Sequence, residues 1–170
     1  MRSRSIAVLS LAAASGLLLA GCASTPAAEP TSAAPTVATS SAEAPAATGE
    51  RVGANGVDLQ VWSAVAPDEA AAATLGDPEK GSSWVTVTLA QWTSEDGKID
   101  TDVAPVLRSS ADADFAGEAV SPRRVEVPMT ADKSYTFAWS FQVPEDLVDP
   151  ASLAVCTSAD ADAACSQIAG

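Results

Sequence analysis

The sequence predicts an all-β protein whose folded part is an antiparallel β-sandwich of about seven strands. Three observations predict it. Tyr135, Phe137, Trp139, Phe141 and Val143 alternate strictly with Thr136, Ala138, Ser140 and Gln142, the period of a half-buried strand. Residues 57–65 and 84–89 alternate in the same way, with Val57, Leu59, Val61 and Val65 in one run and Val85, Val87 and Leu89 in the other. Turn-forming residues separate these runs, and no helical pattern is long enough to build strand–helix–strand units.

Taken in order, residues 1–21 have the parts of a secretory leader: Arg2 and Arg4, then an apolar run from Ile6 to Ala20. That run is shorter than the roughly 20 apolar residues of a membrane-spanning helix. It ends at Leu19-Ala20-Gly21-Cys22, which resembles the lipobox of bacterial lipoproteins. The resemblance implies cleavage between Gly21 and Cys22 and a diacylglyceryl group on the Cys22 sulfur. The alternatives are an uncleaved N-terminal anchor or a leader cut elsewhere. Two acyl chains, at about 0.8 kcal/mol per buried methylene, attach a protein stably to a membrane where one is marginal. The expected localisation is the extracytoplasmic face of the cell membrane.

Residues 22–50 are rich in Ala, Ser, Thr and Pro, with Val37 their only large apolar side chain. Such a segment buries too little surface to offset its conformational entropy, so a disordered tether is expected up to about Glu50. Its hydroxyls are possible attachment points for sugars, or the linker is bare. Residues 51–170 then form the sandwich domain.

Within that domain the Tyr135 run is the expected central strand. A slip of one residue would bury Thr, Ser and Gln, so its register is well specified. Weaker strands are expected over 101–108, 115–120, 123–127 and 152–157. Turns are expected at Glu95-Asp96-Gly97-Lys98, Ser121-Pro122, Ala131-Asp132-Lys133 and from Val143-Pro144 through Pro150. Residues 68–75 carry an alanine run good for a turn or two of helix.

The cysteine count is three, an odd number in an exported chain. Lipidation of Cys22 leaves Cys156 and Cys165, expected as a disulfide in an oxidising compartment, the alternative being two free thiols.

Charge and composition exclude several functions. The formal net charge is −13 with 22 acidic residues, and loss of the leader removes two bases and no acids. A chain this acidic is repelled by phosphate backbones, so no nucleic-acid partner is expected. There is no histidine, which removes Ser-His and Cys-His catalysis and the commonest zinc ligand. The serine pairs Ser82-Ser83 and Ser109-Ser110, like Ser121, stand in no nucleophile motif. Paired carboxylates of the glycosidase kind need a cleft and an acid of raised pKa, and nothing in the sequence marks one. No enzyme and no cofactor are expected.

Three features remain as candidate sites. The acidic pairs Asp100/Asp102, Asp112/Asp114 (with Glu118) and Asp160/Asp162 have the spacing that calcium loops use. Asp112, Asp114 and Glu118 are the first candidates, although Ala116 and Arg123 stand where an EF-hand loop needs ligands. Solvated acids on loop tips explain the same pairs without a metal. Trp62, Trp84 and Trp92 lie off the inward parity of their strands. They either stack on a carbohydrate or protein partner or plug the ends of the sandwich. Trp84 and Trp92 are eight residues apart, about 27 Å along one strand, too far for a single platform without a bend. Arg123-Arg124 is the one basic pair, expected in surface ion pairs.

The succession of the Trp62 strand, Trp84-Val85-Thr86-Val87-Thr88-Leu89, the turn Ser94 to Lys98, the run Tyr135 to Asp146 with its Phe-Gln-Val-Pro, and Leu153-Ala154-Val155 resembles the telokin-like immunoglobulin-fold domains of exported Gram-positive and actinobacterial lipoproteins. The resemblance spans about residues 51–160 and departs at Ala90-Gln91-Trp92-Thr93, where many members carry an Asn. It implies an immunoglobulin-like, non-catalytic domain. The expectation is therefore a membrane-anchored interaction domain whose partner is an envelope protein or a cell-wall component. A calcium-dependent envelope module and a carbohydrate-binding domain are the alternatives.

Overall fold

Strict alternation along Tyr135–Pro144 buries Phe137, Trp139, Phe141 and Val143 and leaves Tyr135 half-buried, so this strand sits at the middle of the protein. The computed structural model describes residues 36–121 and 127–170. Among them are eight strands: β1 (Arg51–Ala54), β2 (Val57–Val65), β3 (Ser82–Thr93), β4 (Val106–Ser109), β5 (Asp114–Ser121), β6 (Tyr135–Pro144), β7 (Leu153–Cys156) and β8 (Cys165–Gln167). They run in the order β1-β2-β3-β6-β5-β4-β7-β8, and every neighbouring pair is antiparallel. The protein is thus an all-β antiparallel sandwich, folded from one nearly closed sheet.

Local chemistry explains the pairings. Asn55 (φ 52°) and Gly56 (φ 79°) both have left-handed backbone, the requirement of a two-residue hairpin turn, and they set Ala54 opposite Val57. The long β3–β6 ladder runs from Ser82 opposite Pro144 to Gln91 opposite Tyr135. It places Val85, Val87 and Leu89 beside Phe141, Trp139 and Phe137 on one face. From the second layer Leu107, Leu153 and Val155 pack against them, and Val103, Met129 and Ile168 complete the core. Each such side chain contributes about 1.5–3 kcal/mol when fully buried.

β5 joins the layers. Its first residues, Asp114 to Ala116, pair with β4, and Gly117 onward pairs with β6. A Cβ on Gly117 would lie 2.9 Å from the Pro105 carbonyl oxygen and 3.0 Å from the Phe141 ring, so only glycine fits where the strand changes partner.

One polar relay crosses the core. Trp139 Nε1 donates to Gln91 Oε1 at 2.8 Å, and Gln91 Nε2 donates to the Val103 carbonyl at 2.6 Å. Every one of these buried groups is satisfied, as burial demands.

Several expectations need correction. The strand expected over 101–108 is a 3₁₀ turn at Asp100–Asp102 followed by the short β4, with Pro105 between them. The turn or two of helix expected within 68–75 is present, as the single turn α1 (Ala72–Leu75). Of the strand expected over 123–127, residues 123–126 lie outside the described residues, as do Arg123-Arg124, the leader and Cys22. β1 and β8 are strands beyond the expected set.

The largest correction concerns the tether. Residues 22–35 lie outside the described residues, but 36–50 are not a free linker: they form a strap on the domain. The Ala38 amide donates to the Arg51 carbonyl (2.8 Å), pairing parallel with β1. Ala46 pairs parallel with β8, donating to the Cys165 carbonyl and accepting from the Gln167 amide, both at 2.9 Å. Ser40 Oγ accepts from the Cys165 amide and Thr48 Oγ1 donates to the Gln167 carbonyl. The strap thereby satisfies backbone groups along both outer strands of the sheet, the edges that otherwise invite unwanted pairing.

Candidate functional site

The acidic residues were the most direct lead to chemistry, and the fold uses them to fix turns. Asp112 (φ 59°) occupies the β4–β5 turn, whose Ser109 Oγ accepts from the amides of Ala111 and Ala113. Both carboxylate oxygens of Asp114 are engaged by Arg108, with Nε to Oδ1 at 2.5 Å and Nη2 to Oδ2 at 2.8 Å. This forked hydrogen bond holds the Asp114 carboxyl below its usual pKa and raises that of the Arg108 guanidinium. Glu118 is four residues further along β5, about 13 Å away at the rise of a strand. Asp112, Asp114 and Glu118 are therefore not brought together. Among the described residues no three acids, cysteines or histidines are grouped to hold a metal ion.

Asp100 departs from the loop-tip expectation. It is 1% exposed; its Oδ1 accepts from the Thr101 and Val127 amides at 3.0 and 3.2 Å, while Oδ2 has no partner among the described residues. Asp102 turns back to the Ile99 amide, and Asp160 is held by the Ser158 hydroxyl.

The three tryptophans that leave the inward face have three different fates. Trp84 is 5% exposed, and its Nε1 donates to the Gly76 carbonyl at 2.9 Å. The loop from Pro67 to Pro78 covers it, around a cleft of about 280 Å³ lined by Asp68, Glu69 and Asp77. Trp92, at the other end of β3, is capped by the Arg51 guanidinium, 4.1 Å from its ring centre. Arg51 is in turn fixed by Asp58, with Nη2 to Oδ2 at 2.7 Å. Trp84 and Trp92 therefore form no common platform. Trp62 alone projects outward and is 54% exposed. Its exposure has a backbone cause: the β2–β3 register shifts between Val61 and Ser63, so Trp62 is the extra residue of a β-bulge. A second shift, between Ala119 and Ser121 on β5, falls in the same cross-sheet row, Ser63–Thr88–Ala138–Ser121.

Cys156 and Cys165 are opposite one another on β7 and β8 and are joined by a disulfide, S–S 2.09 Å. Both are fully buried, packed with Ala154 and Ala163 beneath Ala42 of the strap.

Sequence reasoning missed the strap and the burial of Asp100, and neither leaves a signal in hydropathy. The bulge at Trp62 was equally silent, since a single tryptophan off the strand's parity fits a plug as well as a projection. No protein-family model matches the chain, and no curated protein matches it. Among solved structures it is similar to an uncharacterized β-sandwich protein from Clostridium difficile, at 10% identity and a TM-score of 0.40, over 73% of this chain and 94% of that one.

Proposed function

We infer that the chain is a bacterial lipoprotein of the telokin-like, actinobacterial type, acylated on Cys22, which presents its β-sandwich on the extracytoplasmic face of the cell membrane as a non-catalytic interaction domain. The observation that carries this reading is the cysteine arithmetic. With Cys156 and Cys165 paired in the domain, Cys22 is the one cysteine left, and it ends the four-residue pattern Leu19-Ala20-Gly21-Cys22. A buried disulfide also suits an oxidising compartment. Projection of Trp62 from a bulge supports interaction, because tryptophan is enriched among the anchors of protein interfaces. The partner is an envelope protein or a cell-wall component.

The anchor is tested by replacing Cys22→Ser and fractionating cells. The wild-type chain is expected in the membrane fraction and labelled by radioactive palmitate. The variant should be unlabelled and released. Membrane retention of the Cys22→Ser protein, or a free thiol on the first mature residue by mass spectrometry, would remove the lipoprotein reading.

A further inference from the structure

Resting on that reading of an interaction domain, we propose that the outer half of β2, Val61 to Val65, is a docking edge for an extended, cationic segment of a partner protein, which adds to the sheet as a strand. Three observations converge on it. First, β1 pairs with β2 only as far as Gln60, opposite Arg51, so the strand runs on for five residues beyond its neighbour. Among the described residues, Val61 to Val65 make no backbone hydrogen bond outside the β2–β3 ladder. That leaves backbone donors and acceptors open along the edge, the feature that strand addition uses. Second, this stretch carries no charge and exposes two large apolar side chains, Trp62 and Val65, at 54% and 52%. Elsewhere the strap and the 67–78 loop lie over the sheet; among the described residues nothing covers these two side chains. Cross-strand pairs with Trp62 would supply apolar contact area and fix the partner's register.

Third, charge selects the occupant. Directly after Val65 the chain enters the cleft lined by Asp68, Glu69 and Asp77, so an added strand would run its end onto three carboxylates. A second copy of this chain carries the same formal charge of −13 and has no run of basic residues to set against these acids. A segment with apolar side chains on Trp62 and Val65 and a run of basic residues at the Val65 end, beside the cleft, meets both demands.

The test uses the full chain in detergent and, as probe, a capped synthetic lysine–valine peptide, a run of lysines followed by valines alternating with serine, carrying a fluorophore and read by anisotropy. A glutamate–valine peptide of equal length is the control. Expected are saturable binding of the lysine–valine peptide, no binding of the control, and weakening as salt is raised. Trp62→Ser, a surface change that should leave the melting temperature nearly unaltered, is expected to weaken binding about tenfold or more. The pair Asp68→Asn and Glu69→Gln should weaken it less and flatten the salt dependence. Absence of binding, equal binding by Trp62→Ser, or equal binding of the glutamate–valine peptide would overturn the proposal. So would sedimentation showing a dimer that Trp62→Ser abolishes, which would assign the edge to a second copy. The Cys22→Ser fractionation is independent of every one of these outcomes, so a failed edge and a failed anchor are told apart.

Discussion

β6 and the strap of residues 36–50 are both integral to the domain, yet they are held by opposite means. β6 is held by its side chains: four large apolar groups on one face, in a single core with buried residues of β1, β2, β3, β4 and β7. The strap has almost none, and is held by its backbone and by hydroxyls: the amides of Ala38 and Ala46, the Ala46 carbonyl, and the side-chain oxygens of Ser40 and Thr48. Small side chains are what the strap needs, because Ala42 lies directly over the buried disulfide and Ala46 is itself buried. The contrast teaches that a low-complexity, proline-punctuated stretch is not by composition a free linker. Two exposed sheet edges are enough to order it.

The sharpest way to break the comparison is at β6. Phe141→Ala removes a fully buried ring at the centre of the core and should destabilise the whole domain by about 3–5 kcal/mol, read as a fall in the chemical-denaturation midpoint. A loss below about 1 kcal/mol would mean that the core does not centre on this strand. On the strap, Ala46→Pro deletes the donor to the Cys165 carbonyl, worth about 0.5–1.5 kcal/mol. Its effect should be local: faster hydrogen exchange at Ala38 and Gln167 and quicker proteolysis between residues 36 and 50, with the core amides unchanged. Uniform acceleration across the domain would show that strap and core unfold as one unit.

The smallest effect should come from the Arg108–Asp114 pair, which belongs to neither region. Asp114 has a folded pKa held below its ordinary 3.8 by Arg108. Its contribution is therefore fully present above that value and is lost as the pH falls through the lower, folded one. Because the pair is partly exposed, Asp114→Asn should cost less than about 1 kcal/mol at neutral pH. The difference from wild type should vanish in acid. A difference that persisted below the folded pKa would assign the effect to the turn rather than to the ion pair.

How much of this was legible in the sequence follows from the same contrast. β3, β6 and the Val57–Val61 part of β2 could be read because burial of one face imposes period two on large side chains; Val65, expected on the same face, is turned out to solvent by the bulge at Trp62. The disulfide was legible as the pair of cysteines left once Cys22 is set aside. Asn55-Gly56 also carried its hairpin in plain view, although alternation alone passes over it. β4 was shortened by what alternation does not register, the turn at Asp100–Asp102 and the proline after it. Strand parity told which face Trp84 and Trp92 occupy but not what covers that face: for one a loop, for the other an arginine. Asp112, Asp114 and Glu118 stood as candidate ligands beside the reading of solvated acids, because spacing was all there was to go on. Arg108, the partner that engages Asp114, lies on the neighbouring strand.

Gln91 has a consequence for how the two longest strands find one another. Hydrophobic alternation penalises a shift of one residue between β3 and β6, but a shift of two would still turn valine toward aromatic. It would, however, carry the amide away from the indole of Trp139 and from the Val103 carbonyl, stranding polar atoms in a dry interior. A single glutamine thus works as a key on an otherwise repetitive zip, closing off the misalignments that greasiness alone would tolerate.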